Sequence, residues 1–169
     1  MGECGEGEAM TTAENTVRLL REAGATLSTT ESCTGGLIAS LITGVPGASQ
    51  VFPGGAVTYS NASKAVLAGV DAALIAEKGP VSPEVASQMA EGIRRVLGST
   101  LAVSVTGLCG PDGDGTAAKV GDVYIGFASP EGTEISELHQ NIGREPLRAL
   151  AAETALKVVC RWCEGHISR

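Results

Sequence analysis

Two short stretches of this chain carry side chains able to attack a carbonyl carbon. The first, TESCTGGLIASL (Thr30–Leu41), sets Ser32 beside Cys33 and follows them with Thr34, Gly35 and Gly36, where an apolar helical pattern begins. The second, VTYSNASK, holds Tyr59, Asn61 and Lys64. A serine hydroxyl attacks well only when a neighbouring base takes its proton. A lysine serves as that base when burial or nearby cations lower its pKa, and a tyrosine such as Tyr59 can relay the proton. A thiolate at Cys33 asks instead for an imidazole or a similar base. The chain's two histidines, His139 and His166, come late and outside any recognisable motif.

Each stretch also has a plainer reading. Ser32 can be the N-cap of the helix that follows, and Lys64 can be a surface lysine in a short helix capped by Asn61. Against the cap stands Gly35, at the position where a capping box wants Glu or Gln. A glycine pair in a first helical turn also costs roughly 1 kcal/mol per residue relative to alanine. Chains that accept that cost often need backbone close to a ligand. The N–H groups and positive dipole end of a helix starting here would suit an oxyanion or a phosphate.

A third stretch, TGLCGPDGDGT (Thr106–Thr116), leaves a strand-like run with four glycines, Gly110 among them. No Gly-Lys-Ser/Thr follows, so it is not a Walker loop, and the ligand spacing of an EF-hand is missing. It reads either as a wide turn or as a backbone nest lining a substrate pocket. Arg144 and Arg148 lie four residues apart, on one face of a helix expected from Pro146 to Glu164. A cation just ahead of a helix start opposes the dipole unless an anion binds between them; solvated surface arginines are the alternative.

The elements that must position these residues follow from periodicity. Thr12–Ala23 reads as a helix stopped by Gly24, and Leu37, Ile38, Leu41 and Ile42 form a second helical face. The run VSPEVASQMAEGIRRVLG has Ser82 as N-cap, Pro83 at the first helical position and Gly98 as its stop. Strand-like runs occur at Ala25–Ser32, Gly54–Ser60, Thr100–Gly107 and Val120–Ala128, with a weaker one at TEISELHQ. Interleaved helices and strands predict a single-domain α/β fold over residues 11–169, preceded by a loose tail at residues 1–10. Such sheets carry their sites where the chain leaves the strand ends.

Composition narrows the function classes. The chain has 169 residues, 43% of them hydrophobic and only 3% aromatic, so its core is built from Ala, Val, Leu and Ile. A net charge of −7 with no Lys/Arg run argues against a nucleic-acid partner. No apolar run is long enough to cross a membrane, and the acidic start MGECGEGEAM does not resemble a signal peptide. The five cysteines (Cys4, Cys33, Cys109, Cys160 and Cys163) are too sparse for a disulfide scaffold. Cys160 and Cys163 have C-x-x-C spacing but lack a second ligand pair, and a reducing cytoplasm is the expected compartment.

Taken together, ESCTGGLIASLITGVPGASQVFPGGAVTYSNASKAVLAGV (Glu31–Val70), TGLCGPDG, VGDVYIGFA and GREPLR resemble the C-terminal domain family of the competence/damage-inducible protein CinA. Stand-alone members of that family include nicotinamide-nucleotide amidases. The resemblance implies a layered α/β/α sandwich around a mixed sheet. It also implies hydrolysis of the carboxamide of nicotinamide mononucleotide to nicotinic acid mononucleotide and ammonia. Ser32 would be the nucleophile, with Tyr59 and Lys64 as its activating partners. Substrate contacts are expected from Thr34, Gly35, Gly36, Asn61, Thr106, Gly107, Gly110, Arg144 and Arg148. No metal or cofactor is implied; the expected partner is a small-molecule nucleotide, and the expected assembly a homodimer or higher oligomer. Larger members carry an N-terminal pyrophosphatase domain that a chain of this length does not accommodate. A nucleotide-binding regulatory module, or an amidase for another small amide, is the alternative. The pattern departs from the family at Cys109, where alanine is common, between Lys119 and Val120, where a proline is usual, and at Ile142–Arg144, where the usual Gly-Asp-Arg is altered.

Overall fold

The computed structural model describes residues 9–167. The expected tail at residues 1–10 therefore lies outside the described residues except for Ala9 and Met10.

β1 (Leu27–Glu31) and β3 (Leu101–Gly107) are buried along nearly their whole length. That is what strands covered on both faces require, and it explains their apolar and small hydroxyl-bearing side chains. They form the centre of a five-stranded sheet whose other members are β2 (Gly54–Val57), β4 (Asp122–Ser129) and β5 (Gly132–His139), in the order β2-β1-β3-β4-β5. β1 runs parallel to β2 and β3, whereas β4 and β5 complete the sheet antiparallel.

One face carries α1 (Thr12–Glu22), α2 (Leu37–Thr43) and α6 (Arg144–His166). There Leu20, Ile38, Leu147 and Leu156 close over Leu27, Val103 and Ile125. The other face carries α3 (Asn61–Ala68), α4 (Ala72–Lys78) and α5 (Pro83–Leu97), with Ala90 and Ile93 of α5 packed on Ala102 and Ala128. The fold is thus the expected α/β/α sandwich around a mixed sheet. From β1 the chain crosses through α2 to β2 on one side, then returns through α3–α5 to β3 on the other. The carboxyl ends of β1 and β3 therefore flank a topological switch point, where open α/β sheets form their clefts.

Local chemistry sets the boundaries. Ser82 caps α5 ahead of Pro83, as the sequence predicts, and Thr11 and Glu14 add a reciprocal capping box on α1. α6 begins two residues earlier than expected, at Arg144, and α4 is an additional helix. It is capped by Asp71 and buries only Ile75, so it lacks the repeated apolar pairs that mark α2 in the sequence. The run expected as a strand to Ser60 stops at Val57, because Ser60 turns the chain into α3 with its own capping box to Ser63. Gly92 of α5 lets α3 lie against it: a Cβ there would overlap the Ala68 carbonyl.

Candidate active site

The three stretches singled out by residue type converge at the carboxyl ends of the parallel strands. Ser32 leaves β1 with its N–H donated to the Val105 carbonyl of β3 at 2.8 Å. Lys64 is the fourth residue of α3, and its long side chain runs inward until only 2% of the residue is exposed. Its Nζ lies 3.0 Å from Ser32 Oγ and donates to the Thr58 carbonyl at 3.1 Å. Burial disfavours the ammonium form and lowers the Lys64 pKa below the ordinary lysine value. A neutral amine at this point donates to Thr58 and keeps its lone pair for the Ser32 hydroxyl proton.

Ser32 is not the helix cap. The N-cap of α2 is Gly36, at φ 96°, preceded by Gly35 at φ 62°, so the glycine pair supplies left-handed backbone that turns the chain from β1 into α2. Neither glycine lines the cleft, and neither does Thr34, which is fully buried. The capping work falls to Glu31, which the sequence reading did not single out. Its buried carboxylate accepts from the N–H groups of Gly36 and Ile38 on Oε2, at 3.1 and 3.0 Å, and from Ala39 on Oε1 at 2.9 Å. The N–H groups at the start of α2 are therefore occupied and do not serve an oxyanion or phosphate. A carboxylate five to eight residues ahead of the N–H groups it binds is outside the usual capping spacing, in which the N-cap side chain reaches N2 or N3.

Arg148 secures the same turn from the opposite side. Its Nε donates to the Cys33 carbonyl and its NH2 to the Thr34 carbonyl, both at 3.0 Å, while NH1 pairs with Glu145. It faces backbone rather than the cleft, which corrects its expected role in substrate binding. Arg144 does line the cleft. Its guanidinium donates to the Gly110 carbonyl at 2.7 Å and to the Tyr59 hydroxyl at 2.9 Å. Those acceptors account for a cation at the first position of α6 without an added anion.

Tyr59 stands at the rim, 62% exposed, and its hydroxyl bonds to Arg144 rather than to Ser32 or Lys64. Of the two routes open to the Ser32 proton, directly to Lys64 or through Tyr59, the geometry provides the direct serine–lysine contact. Asn61 lines the cleft but does not cap α3; Ser60 does.

The cleft, of about 420 Å³, has Thr106 and Gly107 from the end of β3 and Gly110 from the loop after it in its wall. The Thr106 hydroxyl donates to the Pro80 carbonyl at 2.7 Å, leaving its lone pairs as acceptors. At Gly107 a Cβ would meet Val123 at 2.6 Å and Cys33 Sγ at 3.1 Å, so the glycine makes room for the thiol. Cys33 also lines the cleft, but a hydrogen bond to Cys109 and burial push its pKa far upward, which keeps it a thiol. The cysteines of the C-x-x-C spacing are buried, and Cys160 Sγ lies 3.2 Å from Thr16 Oγ1.

The family model of the CinA C-terminal domain matches residues 9–163. The chain belongs to the CinA C-terminal domain family. A CinA-like protein of Geobacter metallireducens is 46% identical over 162 residues, covering 96% of this chain and 39% of that protein. A CinA-like protein of Geobacter sulfurreducens is 50% identical over 139 residues, covering 82% of this chain and 34% of its own length. The chain thus spans between a third and two-fifths of these longer relatives. Among solved structures, the competence/damage inducible protein CihA of Agrobacterium tumefaciens superposes with a TM-score of 0.82 at 33% identity, covering 92% of this chain and 98% of that one. The competence damage-inducible protein A of Klebsiella pneumoniae gives 0.85 at 28%, covering 90% and 96%. The CinA sandwich accordingly extends across nearly all the described residues. No helix among them is long and apolar enough to cross a membrane.

Proposed function

We propose that this CinA-family chain is a serine amidase that hydrolyses the carboxamide of nicotinamide mononucleotide to nicotinic acid mononucleotide and ammonia. The observation that carries the reading is the 3.0 Å contact between a buried lysine amine and the Ser32 hydroxyl at the wall of an open cleft. A buried lysine with depressed pKa costs stability, and catalysis supplies a reason for keeping it.

In the first half-reaction neutral Lys64 takes the Ser32 proton as Oγ attacks the carboxamide carbon. The tetrahedral oxyanion then collapses, and Lys64 returns the proton to the departing nitrogen, which leaves as ammonia. In the second half Lys64 takes a proton from water, which attacks the acyl-serine, and the free carboxylate and Ser32 are restored.

The Glu31 cap occupies the α2 N–H groups, and the N–H of Gly35 is donated to the Ser32 carbonyl. The turn N–H groups of Cys33 and Thr34 carry no such bond among the described residues, and the Cys33 N–H follows the nucleophile directly. It is assigned as oxyanion donor; one such donor is typically worth about 3–4 kcal/mol of barrier.

Tyr59 offers a ring face to the pyridine at the rim, and the Thr106 lone pairs suit the carboxamide N–H. Arg144, the guanidinium in the cleft wall, is assigned to the 5′-phosphate, and Asp112 and Asp114 offer acceptors to ribose hydroxyls.

The test is incubation of the purified chain with nicotinamide mononucleotide, measuring ammonia and nicotinic acid mononucleotide together. Stoichiometric release of both is expected. Tight binding without release would favour a regulatory module, and turnover of other small amides alone would reassign the substrate.

A further inference from the structure

Two thiols with no assigned part in the chemistry share one wall of the cleft. Cys33 follows Ser32 out of β1, and Cys109 follows Gly107 out of β3; the pairing of Glu31 with Val105 places the two exits side by side. Cys33 Sγ packs over Gly107, where a Cβ would come within 3.1 Å of it, and Cys109 follows two residues later in the same wall, near enough that each thiol shifts the other's titration. Both are free and nearly buried, yet both border the open cleft, so a small oxidant reaches them from the substrate side.

We propose that Cys33 and Cys109 form a reversible oxidation site whose disulfide closes the cleft over Ser32. The two thiols are unequal in the way such a site requires. The hydrogen bond from Cys33 and the fields of Arg144 and Arg148 hold the Cys109 pKa below the ordinary thiol value, whereas Cys33 is held as the protonated partner. Cys109 thiolate attacks one oxygen of a hydroperoxide, breaking the O–O bond and leaving a sulfenic acid with water, or an alcohol, as the other product. Cys33 sulfur then attacks the Cys109 sulfur, forming the S–S bond; the sulfenic oxygen leaves as hydroxide and takes the Cys33 proton to become water. The two thiols supply the two electrons that reduce the peroxide, and a dithiol reductant restores them.

Closure has a mechanical consequence. The Cys33 carbonyl is held by Arg148, and Leu108 is held by backbone bonds to Asp122 and Gly121, so the segment from Cys109 to Gly110 is the part that the new bond draws toward Ser32. Gly110 also anchors Arg144, so the rim contact with Tyr59 shifts with it. The loss of turnover rests on the amidase reading above; the formation of the bond does not.

The experiment exposes the reduced full chain to hydrogen peroxide, blocks remaining thiols, and maps linked peptides by mass spectrometry. Turnover of nicotinamide mononucleotide is followed in parallel, with each protein normalised to its own reduced rate. The expected result is a peptide joining residues 33 and 109, lighter by two hydrogens and released by dithiothreitol. Most of the turnover is lost as it forms and returns on reduction. Cys109→Ala gives no such peptide and keeps its normalised rate under the same exposure. Peroxide consumption that leaves Cys33 and Cys109 unlinked overturns the site. A linked peptide with an unchanged rate overturns its effect on the enzyme. A reduced chain without turnover counts against the amidase reading, while the peptide map still decides whether the bond forms.

Discussion

Glu31 and Arg148 grip the turn after β1 from opposite sides, the carboxylate on three backbone N–H groups and the guanidinium on two backbone carbonyls. Between them sits Ser32, whose own N–H is bound to β3. The nucleophile is therefore fixed by its backbone, and Lys64 arrives at its hydroxyl from a different layer of the sandwich.

Loosening that grip should lower turnover more than substrate affinity. In Glu31→Gln the amide presents one acceptor oxygen and an NH2 where two carboxylate oxygens now serve three donors. A buried charge-assisted bond of this kind is worth about 1.5–3 kcal/mol. The variant should melt lower, and its kcat should fall with KM little changed. A variant with wild-type kcat would remove Glu31 from the positioning of Ser32.

Arg144 and Arg148, four residues apart, should separate kinetically. Arg148→Lys loses the fork that spans two carbonyls, so its defect should appear in kcat. Arg144→Ala should raise KM and weaken discrimination between the nucleotide and the corresponding nucleoside, if the 5′-phosphate meets this side chain as proposed. Steady-state kinetics on both substrates checks the pair.

The pH profile should report Lys64. The base must be neutral, so kcat/KM rises with pH through the Lys64 pKa, and burial places that inflection below the ordinary lysine value of 10.5. A rate that is flat through the neutral-to-alkaline range, or an inflection at the ordinary lysine value, would contradict a desolvated base.

The same shift has a stability signature of known sign. With the folded pKa below the unfolded one, the unfolded chain binds more protons between the two values. Stability therefore rises with pH across that window, and the burial penalty is fully present below the folded pKa. Lys64→Met should abolish turnover yet melt above wild type at neutral pH, and the difference should shrink as pH approaches 10.5. Thermal melts across pH measure this directly.

Packing behind the lysine should matter as much as the lysine itself. Gly92→Ala drives a methyl group into the Ala68 carbonyl of α3, the helix that carries Lys64. Overpacking of this kind typically costs about 1–3 kcal/mol, and activity measured well below the melting temperature should also fall.

Much of this was legible in the residues. The helix of Ser82–Leu97 announces itself by its cap, its proline and its period, and the strands by their apolar runs. Ser32 and Lys64 are of the right types for their contact, but 32 residues separate them, and only the return of the chain through α3 brings them to 3.0 Å. The glycine pair was legible as a backbone requirement, although its purpose is a left-handed turn rather than approach to a ligand. The residue types of Tyr59 and Arg148 permit a proton relay and a substrate contact. Which acceptor a long side chain finds depends on loops far away in sequence, here Arg144 for Tyr59 and the Cys33 and Thr34 carbonyls for Arg148. Glu31 was hidden because its carboxylate spans five to eight residues to its partners.

The most direct test places the two adjacent nucleophile candidates side by side, measuring ammonia release from nicotinamide mononucleotide by Ser32→Ala and Cys33→Ala, each verified as folded by circular dichroism. The account predicts no release above background from Ser32→Ala and continued turnover by Cys33→Ala. A folded Ser32→Ala that still releases ammonia, alongside a silent Cys33→Ala, would contradict it and move the chemistry to the thiol.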